Sequence, residues 1–247
     1  MHSRFKGHRD IGFSLKNQGK MARRTKEEAM ETRDHILDTA EQVFSEKGVS
    51  RSSLADITAT AGLTRGAIYW HFRNKADLFQ AMMDRVVLPM EQMTARAGSA
   101  DHDDPLAFVR DCALHVLKRV TSDKQCQRVF EISAHKCEYV DEMRQLRDRH
   151  IECRTDCLAQ IERGFRNAAK KGLIAPSVNT RYAAVGLHAL VDGLIMNWVL
   201  DPQYLGLAKA AAPMIDNYIN GMKPHPAPSH KAAPPKAVPK RRAALAS

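Results

Sequence analysis

Apolar residues recur at spacings of three and four along most of this chain, and no stretch alternates apolar with polar as a half-buried strand would. Ile36, Leu37, Ala40, Val43 and Phe44 form the stripe of a helix expected over roughly 28–47, closed by Gly48. Leu54, Ile57 and Ala61 mark a short second helix. Ser53 followed by Asp56 is a capping box that opens it, and Gly62 supplies the positive φ that closes it. Thr64 is placed to cap a third helix over 65–70, and Asn74 with Asp77 repeats the capping pattern for a fourth. The fourth presents Leu78, Met82, Val86, Met90 and Met93 on one face. Pro89 interrupts it, and a proline there predicts a kink because it removes a backbone hydrogen bond.

Past a polar, acidic break at 98–104 the helical period resumes. Leu106, Val109, Ala113, Val116, Leu117 and Val120 form one stripe, and a helix around 124–135 follows. A long amphipathic stretch over 139–171 is stopped by Gly172. Residues 183–200 are apolar on nearly all sides, which predicts burial of more than one face, one against the chain's own core and another against a second subunit. His188, Asp192 and Asn197 within that stretch argue for a buried helix rather than a membrane span. A last helix is expected over 205–222. The fold class is therefore all-α. Residues 1–20 lack helical period and read as a disordered basic extension; 223–247, rich in Pro, Ala and Lys, read as a disordered basic tail.

Charge sharpens this picture. The net +10 divides as +7 over 1–26, −3 over 27–85, zero over 86–221 and +6 over 222–247. The excess sits in the two tails, which suits salt-dependent attraction to phosphates or simply solvated arms. The basic start has no apolar segment of the kind a secretory signal carries. Five cysteines without a C-x-x-C pair point to a reducing, cytoplasmic setting. No phosphate-cradling glycine loop, G-x-S-x-G or H-E-x-x-H is present, so no enzymatic signature and no cofactor is read.

A short helix behind a glycine turn is the helix-turn-helix layout, whose second helix enters the major groove of double-stranded DNA. The run A-G-L-T-R-G-A-I-Y-W-H-F followed by N-K-A-D-L resembles the DNA-binding signature of the TetR family of bacterial regulators. The opening M-A-R-R-T-K-E-E-A from Met21 is similar to the start of its multidrug and solvent efflux-pump repressors, which makes Met21 a candidate start. The likeness is strong over about 21–86 and continues weakly through His135–Glu138 and Val191–Ile195. It implies a helix-turn-helix DNA-binding domain over 21–90 and a helical ligand-binding and dimerisation domain over 91–222. It also implies a homodimeric, cytoplasmic repressor, released from a palindromic operator by a small hydrophobic drug-like ligand.

Residue types support named roles. Arg65 can fork onto guanine O6 and N7, Gly66 lets the backbone come close to DNA, and Ala67 offers a methyl to a thymine methyl. Ser52, Ser53, Thr64, Tyr69, His71 and Lys75 are placed to bind phosphates. Ile68 and Phe72 read as packing of the small domain, and packing is an open alternative for Trp70. Asp192, a carboxylate on an apolar helix, needs a partner or a ligand. By resemblance it lines a drug pocket with Val191, joined by Val116, Phe130, Ala134, His188 and Met196. His150, Cys153 and Cys157 share one helical face and could hold a soft metal, but they lie on the apolar stripe, and no metal is assigned.

Two competing readings remain at this stage. An architectural DNA-binding protein would rely on the basic tails. A TetR-type regulator of an unrelated metabolic pathway would keep the same fold with another ligand.

Overall fold

The computed structural model describes residues 11–97, 102–140 and 143–224. Among them are nine helices and no strand: α1 (Ile11–Lys47), α2 (Leu54–Ala61), α3 (Arg65–His71), α4 (Lys75–Ala97), α5 (Pro105–Ser122), α6 (Lys124–His135), α7 (Arg144–Lys170), α8 (Thr180–Leu200) and α9 (Leu207–Asn220). The all-α expectation holds.

Short helices depend on their ends, and here the ends are satisfied. Ser53 Oγ accepts from the Asp56 N–H at 3.1 Å while Asp56 accepts from the Ser53 N–H at 2.9 Å, so the expected capping box closes. These bonds and Lys47 hold the Asp56 carboxyl down at about 2. Gly62 ends α2 at φ 67°, where a side chain would be strained. Thr64 caps α3 and Asn74 Oδ1 accepts from the Asp77 N–H at 2.8 Å to open α4. Asp104, Asp123 and Asn179 cap α5, α6 and α8 in the same way.

α1 packs against α2, α3 and the first turns of α4. Phe44 of α1 meets Phe79 of α4 with ring centroids 6.0 Å apart, and Ile36, Ile57, Ile68 and Phe72 are fully or nearly fully buried around them. The apolar core runs on without a break into the larger bundle of α4 to α9, so the boundary expected between 90 and 91 falls inside one helix.

Three expectations need correction. α1 begins at Ile11, not near Glu28, so part of the extension expected to be irregular is helical. Once a helix exists each added residue gains a hydrogen bond at no further nucleation cost, and this outweighs two glycines. Residues 1–10 and 225–247 lie outside the described residues, and with them nearly all of the expected basic tail; so do 98–101 of the expected loop. Pro89 does not interrupt α4, which runs continuously through it. Buried Met82, Val86 and Met90 pin the helix on both sides, and that packing outweighs one lost bond. The long amphipathic helix starts at Arg144 rather than at Tyr139.

α8 is long and apolar enough by composition to cross a membrane, with mean hydropathy 1.5. In this fold it packs on α6, α7 and α9 through Ala183, Ala184, Leu187, Ile195 and Val199. Its contact with α9 is close at Gly186. Tyr218 of α9 lays its ring there and donates its hydroxyl to the Ala183 carbonyl at 2.8 Å; a Cβ on Gly186 would stand 2.3 Å from that hydroxyl oxygen. The other side of α8 is uncovered in the single chain, with Tyr182 75% and Leu200 67% exposed.

Candidate DNA interface and ligand cavity

Helix α3 offers one outward face. Thr64, Arg65, Gly66 and Tyr69 are exposed, and Ala67 is half-buried beside them. A Cβ at Gly66 would meet nothing closer than Thr64 Oγ1 at 3.9 Å, so packing within the chain does not demand glycine there. Ile68 and Phe72 are buried, as their packing role requires, but Trp70 is 73% exposed. The packing alternative left open for Trp70 is therefore not met. Residues 68 and 72 share the inner face of the helix and residue 70 stands opposite them, a placement that helical spacing alone could have shown. The Trp70 ring is met edge-on by His71 at 4.5 Å, and the Arg33 guanidinium lies 5.2 Å from the centre of the Phe72 ring. Burial, then the Arg33 charge, pushes the His71 imidazole below its usual range, so it is neutral and a weaker phosphate partner than the sequence implied.

Two of the expected phosphate contacts are occupied internally. Lys75 is buried and its ammonium donates to the Val49 and Ser52 carbonyls at 3.0 and 2.9 Å. Ser52 is buried too, and its hydroxyl donates to the Gly48 carbonyl at 2.6 Å. Both tie down the turn between α1 and α2 rather than point at solvent. Ser53 is exposed, but its hydroxyl and amide are both given to Asp56.

The second site is a cavity of about 650 Å³ lined by residues of α4, α5, α6, α7 and α8. Six of the seven side chains expected at a ligand site line it: Val116, Phe130, His188, Val191, Asp192 and Met196. Ala134 does not; it sits half-buried against the core, a step round α6 from Phe130 and Ser133, which do line the cavity. Sequence reasoning missed the α4 wall of Met83, Val87, Met90 and Glu91, and the α7 wall that includes Arg149, Cys153 and Cys157. The methionines, Val87 and the cysteines among them sit on stripes indistinguishable from core in one dimension. Burial pushes His188 below its usual range; Asp192 opposes this, while Arg154 and His150 add to it. Burial likewise raises the Cys157 thiol to about 11. Among the described residues no three His, Cys, Asp or Glu side chains are grouped as a metal would require.

Direct bonds join α1 and the turn after it to α6. Glu41 of α1, 3% exposed, receives Arg128 of α6 at 2.5 Å and Gln125 at 3.2 Å. At the far end of α6 the Val49 amide donates to the Lys136 carbonyl at 2.9 Å.

An outward-facing helix behind a glycine turn, attached through a shared helix to a bundle with a drug-sized cavity, defines a ligand-linked helix-turn-helix regulator. The chain belongs to the TetR family of bacterial regulatory proteins, whose N-terminal domain matches residues 36–82, while the C-terminal region of the MAATS-type transcriptional repressors matches residues 104–224. It is 39% identical over 207 residues to the HTH-type transcriptional regulator TtgR of Pseudomonas putida, covering 84% of this chain and 99% of that one. It is 36% identical over 191 residues to the regulator AcrR of Shigella flexneri, covering 77% and 89%. Among solved structures, NalD, the secondary repressor of the MexAB-OprM multidrug efflux pump in Pseudomonas aeruginosa, superposes with a TM-score of 0.73 at 34% identity, covering 80% of this chain and 98% of that one. A complex of SmeT with triclosan superposes with a TM-score of 0.72 at 29% identity, covering 87% and 100%.

Proposed function

We propose that this chain is a homodimeric, cytoplasmic repressor of a multidrug efflux-pump operon, released from a palindromic operator when a small hydrophobic ligand fills the cavity. It acts by binding and not by catalysis. The observation that carries this reading is the double role of α4. Its N-terminal turns pack the reading head, and Met83, Val87, Met90 and Glu91 further along form a wall of the cavity. A ligand that favours a different setting of α4 changes the spacing of two heads and lowers operator affinity by linkage.

Within the reading head, Arg65, Gly66, Ala67 and Tyr69 are assigned to DNA, with Thr64 at the helix start and Trp70 added from its exposure. The uncovered face of α8, with Tyr182, Val185 and Leu200, is assigned to the second subunit; two heads about 34–36 Å apart then read one palindrome. The test is footprinting of the DNA beside the chain's own gene. Protection of a palindrome that disappears with triclosan or a similar drug is expected. Protection that no hydrophobic drug relieves, but a metabolite does, favours the metabolic alternative.

A further inference from the structure

The charged side chains on the cavity wall fall into two kinds. Glu91 of α4 and Arg149 of α7 are partnered: the guanidinium stands 3.5 Å from a Glu91 oxygen, to which Cys153 Sγ also donates. Arg154 of α7 and Asp192 of α8 line the same cavity, and neither makes a hydrogen bond or ion pair among the described residues. No side-chain nitrogen or oxygen among the described residues is both buried and unpartnered, so these two charges open onto the cavity. Their depths differ. Arg154 is exposed as well as lining the cavity, which sets it at the mouth, whereas Asp192 is half-buried. His188, one turn before Asp192 on α8, lies within electrostatic reach of both, which places the two charges along one stretch of wall.

This unpaired couple sets a condition on any occupant. An apolar body that fills the space strips water from Asp192, and a buried carboxylate without a partner is costly. A neutral occupant leaves that cost standing, and an anion adds repulsion to it. A cation satisfies Asp192 and leaves Arg154 unused. We infer that the cavity accepts zwitterions, compounds whose apolar body carries an ammonium for Asp192 and a carboxylate for Arg154; the inference rests on the ligand-responsive reading above and names a ligand class for it.

Depth fixes the orientation. The ammonium goes inward to the half-buried carboxylate, and the ligand's own carboxylate stays at the mouth, where a planar guanidinium can take both its oxygens. His188, kept neutral by its burial, adds a hydrogen-bonding ring beside them without adding charge. Phe130 and the thioethers of Met83, Met90 and Met196 suit an aromatic body. Asp156 also lines the cavity, but it is exposed, and water screens it from an ammonium held deeper in.

Isothermal titration calorimetry with the full chain compares four forms of one rod: 4′-(aminomethyl)biphenyl-4-carboxylic acid, its methyl ester, its N-acetyl derivative and the doubly blocked compound. These are a zwitterion, a cation, an anion and a neutral molecule. The one-ring set built on 4-(aminomethyl)benzoic acid repeats the comparison at shorter charge separation. At one length or both, the zwitterion should bind about tenfold more tightly than each of the other three. Arg154→Gln should bring it level with the ester and Asp192→Asn level with the N-acetyl derivative, while Asp156→Asn leaves the order unchanged. A zwitterion that binds no better than its ester at either length would overturn the inference, and that wild-type comparison needs no variant to fold. So would a preference that survives Arg154→Gln or Asp192→Asn, or one that Asp156→Asn removes. Anisotropy of labelled operator, titrated with the same compounds and with triclosan, reads the underlying claim separately. A zwitterion bound with this preference that leaves the operator in place sinks the ligand-responsive reading. Release by triclosan with no preference among the four sinks the ligand class alone.

Discussion

Lys136 at the end of α6 donates its ammonium to the Ser45 carbonyl of α1 at 2.7 Å and pairs with Glu131 at the same distance. The helix whose Phe130 lines the cavity is thereby fastened to the helix that backs the reading head. Coupling between the sites need not travel through α4 alone. Lys136→Met should lower stability by ~1 kcal/mol, the net worth of a partly exposed charged hydrogen bond, and should raise the ligand concentration needed to release operator. Anisotropy of labelled operator against ligand, for both proteins, is the measurement; superimposed release curves would show that α4 carries the signal unaided.

Glu41 and Arg128 make the second fastening, and here burial sets the cost. Arg128→Met leaves the Glu41 carboxylate buried with Gln125 for company. Because Arg128 is itself 51% exposed, the loss should fall below the ~3–5 kcal/mol of a fully buried pair, at ~1–2 kcal/mol. Replacing both residues by leucine should recover most of it. Urea unfolding of the single and double variants checks this.

On the DNA face, Arg65→Ala should cost ~1–3 kcal/mol per half-site with fold and dimer intact. Trp70→Ala should also weaken operator binding, while the thermal midpoint stays put because the indole buries little surface. A large fall in thermal midpoint instead would assign Trp70 to packing.

Asp192→Asn keeps volume and removes charge at the cavity wall. Operator affinity without ligand should be unchanged, and release by cationic ligands should need higher concentrations, while release by neutral ones shifts little. Release curves for one ligand of each kind distinguish this from a structural role, which would lower thermal stability and leave both curves alike.

His188 gives a pH signature. Its folded-state affinity for a proton lies below that of the ordinary imidazole near 6.5, so the unfolded chain binds the proton more readily. The contribution is fully present above pH 6.5 and is lost as pH falls below it toward the lowered folded value. His188→Gln should therefore flatten the decline in urea midpoint between pH 7.5 and 5.5 relative to wild type.

What the sequence revealed was local. The box at Ser53–Asp56, the Asn74 cap on the Asp77 amide and the turn at Gly62 depend on neighbours a few positions away, and the structure forms them. What it concealed was tertiary. Lys75 and Ser52 look like phosphate ligands until the α1–α2 turn folds over them and takes their donors. Ala134 and Ser133 are adjacent in sequence, and only the rotation of α6 decides which one meets the cavity. The α7 residues facing the cavity carry the same spacing as core residues. A void and a core look alike in one dimension, because both are walled by apolar stripes.

The phenol of Tyr218 resting over Gly186 also bears on how this sequence can drift. Glycine within α8 costs ~1 kcal/mol against alanine in an ordinary helix, and here that cost makes room for a ring anchored to the Ala183 carbonyl. A methyl at 186 evicts the hydroxyl, and a smaller residue at 218 leaves a void over a bare glycine. Descendants of this gene should therefore keep the two positions as a linked pair, inherited together or exchanged together.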